Sequence, residues 1–432
     1  MVKDSLDAID VVFDDDRSVA DAGVLVAATL ARKLGIEALV NGCVDLGRRV
    51  GYFRPGRKVM SLVHAMLLGA DSIDGCDVLR SGRTGRVLGH RVMAPSTLGT
   101  FLRAFTFGHV RQLDRVLGEL LARAWTAGAG PGAQRLVIDV DSFIREVHGS
   151  QKQGASYGYT KKLGYHPLLA TRAGSGEVLH VRFRAGKANT QRGVIRFVDE
   201  LLARVSRTGA TGEILLRADS GFHNAKLRAR LAANGVLYSI GVRQTTAIAA
   251  AIALIPEAAW VPLVDYPKTG EAQIAETTTA NGERLIVRRV RTLGVQAQLF
   301  ETWRHFAALT NRTEPLALVE AEHRDHATVE LDIRDLLDQA LAHAPSGQFA
   351  ANAAWTVIAA IAHNLHRWSE LIGLPNTTIP RRAHTNRRRL LAIPGRLTYH
   401  SRRWTLHLPA RWPWQTDWQA ALTRIRALPV LS

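Results

Sequence analysis

The sequence predicts an α/β protein with an all-α N-terminal part, a central α/β core carrying a β-rich insertion, and a helical, basic C-terminal region. Three observations lead there. Residues 18–125 carry apolar side chains at helical spacing. After the Gly/Ala/Pro-rich break "TAGAGPGAQ" (126–134), short apolar runs of strand type appear, at first joined by turns and then alternating with helices. Beyond residue 373 the chain becomes arginine-rich, as in "IPRRAHTNRRRLLAIPGRLTYHSRRWTLHLPARWPW".

The elements follow in order. "SVADAGVLVAATLARKLGI", "KVMSLVHAMLLGA", "STLGTFLRAF" (96–105) and "VRQLDRVLGELLARAW" (110–125) read as helices. Leu98, Phe101, Leu102 and Phe105 form one apolar face of the third. Short helices in a basic chain permit a helix-turn-helix, and an ordinary helical bundle fits equally. "RLVIDVDSF" is then a strand, and "YHPLLATR" and "VLHVRFRAG" are strands joined by "AGSG". "NTQRGVIRFVDELLARVSR" (189–207) is an amphipathic helix with Val194, Phe197, Val198 and Leu201 inward. The strand "EILLRADSG", the helix "HNAKLRARLAANG" and the strand "VLYSIGVR" complete the run. Three adjacent strands followed by alternating helices and parallel strands make an RNase H-like layout. Residues 260–310 are β-rich, with a hairpin turn at Asn281-Gly282. Helices return at 327–342 and 350–373. The expected divisions are 1–130 (helical, DNA-binding), 131–245 (first part of the core), 246–312 (β-rich insertion), 313–373 (remainder of the core) and 374–432 (basic region).

Composition narrows the function. At 432 residues and 47% hydrophobic content the chain is long and apolar enough for sizeable cores, which excludes a disordered protein. Lys plus Arg number 56 against 38 acids, a net charge of +18, which points to a polyanionic partner, most simply nucleic acid. The two cysteines, Cys43 and Cys76, form no CxxC, against a zinc or disulfide framework. The N-terminal "MVKDSLDAIDVVFDDD" has no apolar signal core, and no run approaches the roughly 18 apolar residues of a membrane span. A cytoplasmic protein without membrane contact is expected.

The chemistry centres on carboxylates. "RLVIDVDS" places Asp139 and Asp141 on one face of an otherwise apolar strand, where both need a cationic partner. Asp219 ends another strand, in "EILLRADSGF". If these strands are neighbours, Asp141 and Asp219 converge into an oxygen-rich site suited to Mg²⁺ or Mn²⁺. Two such ions about 4 Å apart drive in-line attack on a phosphodiester. Asp219 is also well placed to cap the following helix, and the strand acids alone could be edge charges. A third acid comes from later in the chain: Glu330, in "HRDHATVELDIRDLL", shares a helix face with Ile333, Arg334 and Leu337, while Glu314, Glu320 and Glu322 are rivals in a less regular segment. Between the first two strands, "IREVHGSQKQGASYGYTKKLGYHP" offers Lys and Tyr for phosphates and bases, or is a solvated loop. His148 and His166 within it lack the companions of a zinc site.

"LVIDVDSFIREVHGSQKQGASYGYTKKLGYHPLLA", "LLRADSGF" and "HRDHATVELDIRDL" together resemble the DDE transposases of bacterial insertion sequences, in particular the insertion-sequence thirteen-eighty family, over residues 15 to 415 or so. The resemblance implies an RNase H-like core binding two Mg²⁺ or Mn²⁺ ions, cleavage of DNA at the element's terminal inverted repeats, and joining of the 3′-hydroxyl ends to target DNA. It places the second Asp on Asp219 and the Glu on Glu330. The first falls on Asp141, with Asp139 as the alternative. Asp141 and Asp219 are then 78 residues apart (219 − 141), and Asp219 and Glu330 are 111 apart (330 − 219), the longer gap holding the insertion. It further implies a homodimer in the synaptic complex and a bacterial, nucleoid-associated protein. The DNA-contact candidates are His148, Lys152, Lys161, Lys162, Arg324, Arg334, Arg387 and Arg388. Relatives carry Tyr and Arg seven and four residues before the Glu and Lys seven after it; here those positions are His323, His326 and Leu337. An inactive or domesticated DNA-binding copy on the same fold is the alternative.

Overall fold

The computed structural model describes residues 9–149, 151–158, 160–264, 270–292, 303–375 and 381–431. A mixed nine-stranded sheet runs through the molecule. In chain order its strands are β1 (Leu136–Ser142), β2 (Leu168–Arg172), β3 (Val178–Arg182), β4 (Ile214–Ala218), β5 (Leu237–Val242), β6 (Val261–Pro262), β7 (Gly270–Thr278), β8 (Arg284–Thr292) and β9 (Arg304–Thr310). Their spatial order is β6-β7-β8-β9-β5-β4-β1-β2-β3. The β1–β2 and β2–β3 pairs are antiparallel, whereas β1–β4 and β4–β5 are parallel. Parallel neighbours need a crossover. One is the helix Val194–Val205, whose Val194, Phe197, Val198 and Leu201 are buried as its spacing predicts; the other is Ala225–Ala233, capped by Asn224.

The β-rich segment extends this same sheet. β9 pairs with the far edge of β5, and β7 and β8 follow as a hairpin. The hairpin turns at Asn281-Gly282, where Gly282 takes φ +77°, a left-handed conformation that favours glycine. The stretch 246–253, expected within the β-rich part, is instead the helix Thr246–Ala253. Its Ile248, Ala251 and Ile252 pack with Leu285, Val287 and Leu309 in a small apolar cluster of their own.

On the other side lie helices α1 (Leu25–Lys33), α2 (Ile36–Cys43), α3 (Pro55–Leu67), α4 (Pro95–Arg103) and α5 (Phe107–Ala124). They surround the helix Phe349–Gly373, which at about 37 Å spans most of the molecule and is buried on nearly every side. That helix packs on α1, α3, α4, α5 and β3, and the C-terminal helix Gln415–Ala427 closes over it and α1. One apolar core therefore runs continuously from Val19 to Ile425. Two local readings change for the same reason, long-range packing. Ser18–Val19, read as a helix start, pairs with Arg396 and Gly395 in a separate three-stranded sheet. The Gly/Ala/Pro-rich segment after α5 is packed down, with Trp125 and Ala129 buried and Arg172 donating to the Ala129 carbonyl at 2.7 Å. No helix among the described residues is long and apolar enough to cross a membrane.

Candidate active site

Asp139 and Asp141 point to the same face of β1, but their surroundings differ. Asp139 is 1% exposed. It stands directly opposite Arg217 of β4, whose Nε and Nη2 donate to its two oxygens at 2.7 Å each. His326 Nδ1 donates to the same carboxylate at 2.8 Å. Arg217 also donates to the Glu322 carbonyl. The cation that the buried carboxylate demands is thus a guanidinium of the chain itself, and the ion pair fastens the segment before Glu330 to the middle of the sheet.

Asp141 has no such partner. It sits half-buried at the C-terminal end of β1, where the Ser142 amide donates to Oδ1 at 2.6 Å. The parallel register places Val140 beside Ala218, so Asp219, one residue past β4, follows beside Asp141; adjacent strands lie about 4.8 Å apart. Asp219 is exposed and accepts from the Gly221 amide at 3.0 Å, so the capping role read from "DSGF" is real, although it caps only the short turn Ser220–Phe222. A close approach of β5 supports it from behind, since a Cβ on Gly241 would meet the Ser220 amide at 3.0 Å and the Asp219 carbonyl carbon at 3.3 Å.

Glu330 lies in the first turn of the helix Val329–Leu337 and is exposed. Its rivals are all ion-paired: Glu314 and Glu322 with Arg135 and Arg312, and Glu320 with Arg288 at 3.0 Å. They belong to a regular helix, Leu316–Arg324, and its approach, not to a loop. Among the described residues no ion pair is formed by Asp141, Asp219 or Glu330. Burial, together with the negative charges of Asp219 and Glu330, pushes Asp141 up to about 6, against the opposing pull of the Ser142 amide and His326. The three carboxylates therefore share one field in which negative charge outweighs the opposing pull of His326. Their oxygens are spread more widely than 4.8 Å, since the one trio of His, Cys, Asp or Glu that close among the described residues lies elsewhere.

That trio, Asp114, His180 and Glu200, was not foreseen. It joins α5 to β3 and to the helix Val194–Val205. His180 is fully buried, 3.4 Å from Asp114 and 3.3 Å from Glu200. Burial would raise both carboxylates, but Arg204 and His180 hold Asp114, and His180, Arg111 and Arg182 hold Glu200, well below the usual range. With four guanidiniums (Arg111, Arg182, Arg196 and Arg204) against two carboxylates, the negative charge of the cluster is already balanced without an added ion. The sequence signal was a polar residue on each inward apolar stripe. Asp114→Asn is expected to lower unfolding free energy by about 1–3 kcal/mol, because it leaves the buried Arg204 without its charged acceptor at 2.8 Å. Urea denaturation of the two proteins measures this, and an unchanged midpoint would contradict it.

The DNA-contact candidates divide. His148, Lys161, Lys162, Arg334 and Arg388 are exposed, Lys162 beside Glu146. Lys152 is turned inward onto the Ala344 and Ser346 carbonyls. Arg387 is half-buried, its guanidinium against Gly69, and burial lowers its pKa. Arg324 is half-buried, 3.8 Å from Glu320. At the positions where the resemblance implies Tyr and Arg, His323 shares a hydrogen bond with Ser239 Oγ at 2.9 Å while burial pushes its imidazole down to about 3, and His326 faces Asp139. Leu337 is half-buried against the main core.

No curated protein sequence matches the chain. Among solved structures it is similar to the piggyBac transposase synaptic complex with hairpin DNA, at 12% identity and a TM-score of 0.47, covering 87% of this chain and 80% of that one. The family model described as "Transposase DDE domain group 1" matches residues 3–430. With a match over nearly its whole length, the chain belongs to the DDE transposase domain family, group 1.

Proposed function

We propose that the protein is a cut-and-paste DNA transposase whose catalytic carboxylates are Asp141, Asp219 and Glu330. The observation that carries the reading is a group of three carboxylates without an ion-pair partner among the described residues at the C-terminal end of β1, where burial and the charges of Asp219 and Glu330 outweigh the pull of the Ser142 amide and His326 and raise Asp141 to about 6. An all-carboxylate donor set of this kind fits two Mg²⁺ or Mn²⁺ ions. When bound, the metals supply Lewis-acid activation of a phosphodiester and of the hydroxyl that attacks it. The chain's own part is positional. The Ser142 and Gly221 amides orient the two strand-end carboxylates, and the Asp139–Arg217–His326 cluster holds the segment that leads to Glu330. On this reading Asp139 is a support and not a ligand, because Arg217 and His326 already occupy its oxygens.

The strand order β3-β2-β1-β4-β5 with two helical crossovers supports an RNase H-like core, with β6 to β9 as the insertion. The net charge of +18 supports binding of terminal inverted repeats and target DNA through the helical N-terminal region, the exposed Lys and Arg and the basic C-terminal region, with two chains pairing two ends. A second reading, a DNA-binding protein without catalysis, is favoured by one observation: His323 and His326 are turned inward, at the positions where the resemblance implies Tyr and Arg.

The test is purified protein with a labelled element end, a target plasmid, and Mg²⁺ or EDTA. Mg²⁺-dependent cleavage and strand transfer, lost in Asp219→Asn and Glu330→Gln, is the expected result. DNA binding without any cleavage supports the second reading, and cleavage that survives both substitutions overturns the assignment of the site.

A further inference from the structure

We infer that His166 is a positioning residue that, through Ser142 and Thr190, clasps the strand end bearing Asp141 to the turn bearing Asp219. The inference rests on the metal-site reading above and adds residues that the carboxylate motifs do not contain.

The clasp follows from hydrogen-bond direction. His166 is buried, and its Nδ1 lies 2.6 Å from the Ala188 carbonyl, which can only accept. Nδ1 therefore carries the proton, and Nε2 is left as an acceptor. Nε2 is 3.0 Å from Ser142 Oγ, so the serine hydroxyl donates to the ring. With that proton committed, the contact of 3.3 Å between Ser142 Oγ and Thr190 Oγ1 must be donated by Thr190. Thr190 in turn lies against the Asp219 turn: a Cβ on Gly221 would come within 3.2 Å of Thr190 Cγ2, 3.3 Å of its Oγ1 and 3.1 Å of Asp219 Oδ1.

Two features show that this arrangement is held firmly. The loop presenting Thr190 is fixed by the buried Arg184, which donates to the carbonyls of His166 at 2.8 Å, Asn189 at 3.0 Å, Thr190 at 3.3 Å and Arg192 at 2.8 Å. One guanidinium thus ties down both ends of the clasp. In addition, neither hydroxyl proton is directed at a carboxylate. Ser142 meets Asp141 only through its backbone amide, so both carboxylates keep lone pairs for cations. Among the described residues, His166 is joined to the site through Ser142, and its effect is on geometry.

Residues of this kind cost about 10–100-fold in metal affinity when removed. The test is Mn²⁺ binding to the full chain without DNA, followed by electron paramagnetic resonance, beside a thermal melt of each variant. Thr190→Val and His166→Gln are expected to weaken Mn²⁺ binding by about 10-fold or more. Thr190→Ser, which keeps the hydroxyl, is expected to retain wild-type affinity, and the Ser142→Ala/Thr190→Val double variant should bind no worse than the weaker single variant, because the groups act as one chain. Equal losses in Thr190→Ser and Thr190→Val, or unchanged affinity in Thr190→Val and His166→Gln while Asp219→Asn abolishes binding, would overturn the clasp alone. A wild-type protein that binds no Mn²⁺ would overturn the metal-site reading and the clasp with it.

Discussion

Asp141→Asn is expected to reduce Mg²⁺-dependent cleavage by about 1,000-fold or more while the protein stays folded. Asp141 stands at a strand end without an ion-pair partner among the described residues, and if it is a metal ligand as proposed, an amide in its place no longer offers a charged oxygen to the cation. Metal activation provides several kcal/mol of charge stabilisation, and about 1.4 kcal/mol corresponds to each tenfold in rate. The fold should not suffer. The native environment already disfavours the charged form, with Asp141 pushed up to about 6 from an ordinary 3.8, so the charged carboxylate opposes folding at neutral pH. A neutral amide removes that opposition, and the melting temperature without metal is expected to be equal to or above that of the wild type. Asp139→Asn is expected to do the reverse: it removes the charge that balances Arg217, lowers the melting temperature, and reduces cleavage only as far as the sheet is disturbed. Cleavage rates and melts of the two single variants decide the matter. Retained activity in Asp141→Asn together with abolished activity in a stable Asp139→Asn would move the site to Asp139.

The contrast between these two residues shows what can be read from the sequence. That two acids lie on one face of β1 follows from the period of a strand, and that Asp219 ends another strand follows from alternating elements and a turn, whereas the parallel pairing that makes the two strands neighbours is seen only in the structure. Which acid is supported by a partner does not follow, because the partners lie far along the chain: Arg217 is 78 residues from Asp139 and His326 is 187. Glu330 was chosen among four glutamates by helical spacing, whereas the structure separates them by ion pairing, with Glu314, Glu320 and Glu322 each bound to arginines. The same limit applies to the fold. Helices such as Pro55–Leu67 and the hairpin at Asn281-Gly282 are local events and were legible. The pairing of Ser18–Val19 with Gly395 and Arg396 was not, nor the docking of β9 on β5, since each depends on chain segments that meet only after collapse. The positive charges show the same dependence on distant partners. Lys152 and Arg387 look like contacts for a polyanion in sequence, whereas in the structure both are half-buried, Lys152 on the Ala344 carbonyl and Arg387 against Gly69.

Arg217→Met is expected to lower unfolding free energy by about 3–5 kcal/mol, the range for removing one partner of a buried ion pair. Both side chains are nearly sealed, Arg217 at 4% and Asp139 at 1% exposure, so solvent cannot replace the lost guanidinium. The carboxylate is left with His326 alone, and the Glu322 carbonyl loses a donor. The cause is the orphaned charge more than the lost attraction, and a second substitution separates the two. If the damage comes from an uncompensated buried carboxylate, Asp139→Leu combined with Arg217→Met should recover a large part of the lost stability, because an apolar pair of similar volume carries no desolvation penalty. Urea unfolding of the two single variants and the double variant forms the required cycle. A double variant whose loss equals the sum of the singles would mean that the cluster acts through packing, and a single variant within about 0.5 kcal/mol of wild type would remove it from the list of important supports. The functional consequence is distinct. Restoring stability with leucine and methionine does not restore the bond from Asp139 to His326, which precedes Glu330 by four residues. The double variant should therefore be stable yet slow in Mg²⁺-dependent cleavage, with DNA affinity unchanged. That pattern is what positioning the Glu330 helix predicts, and core stability alone does not.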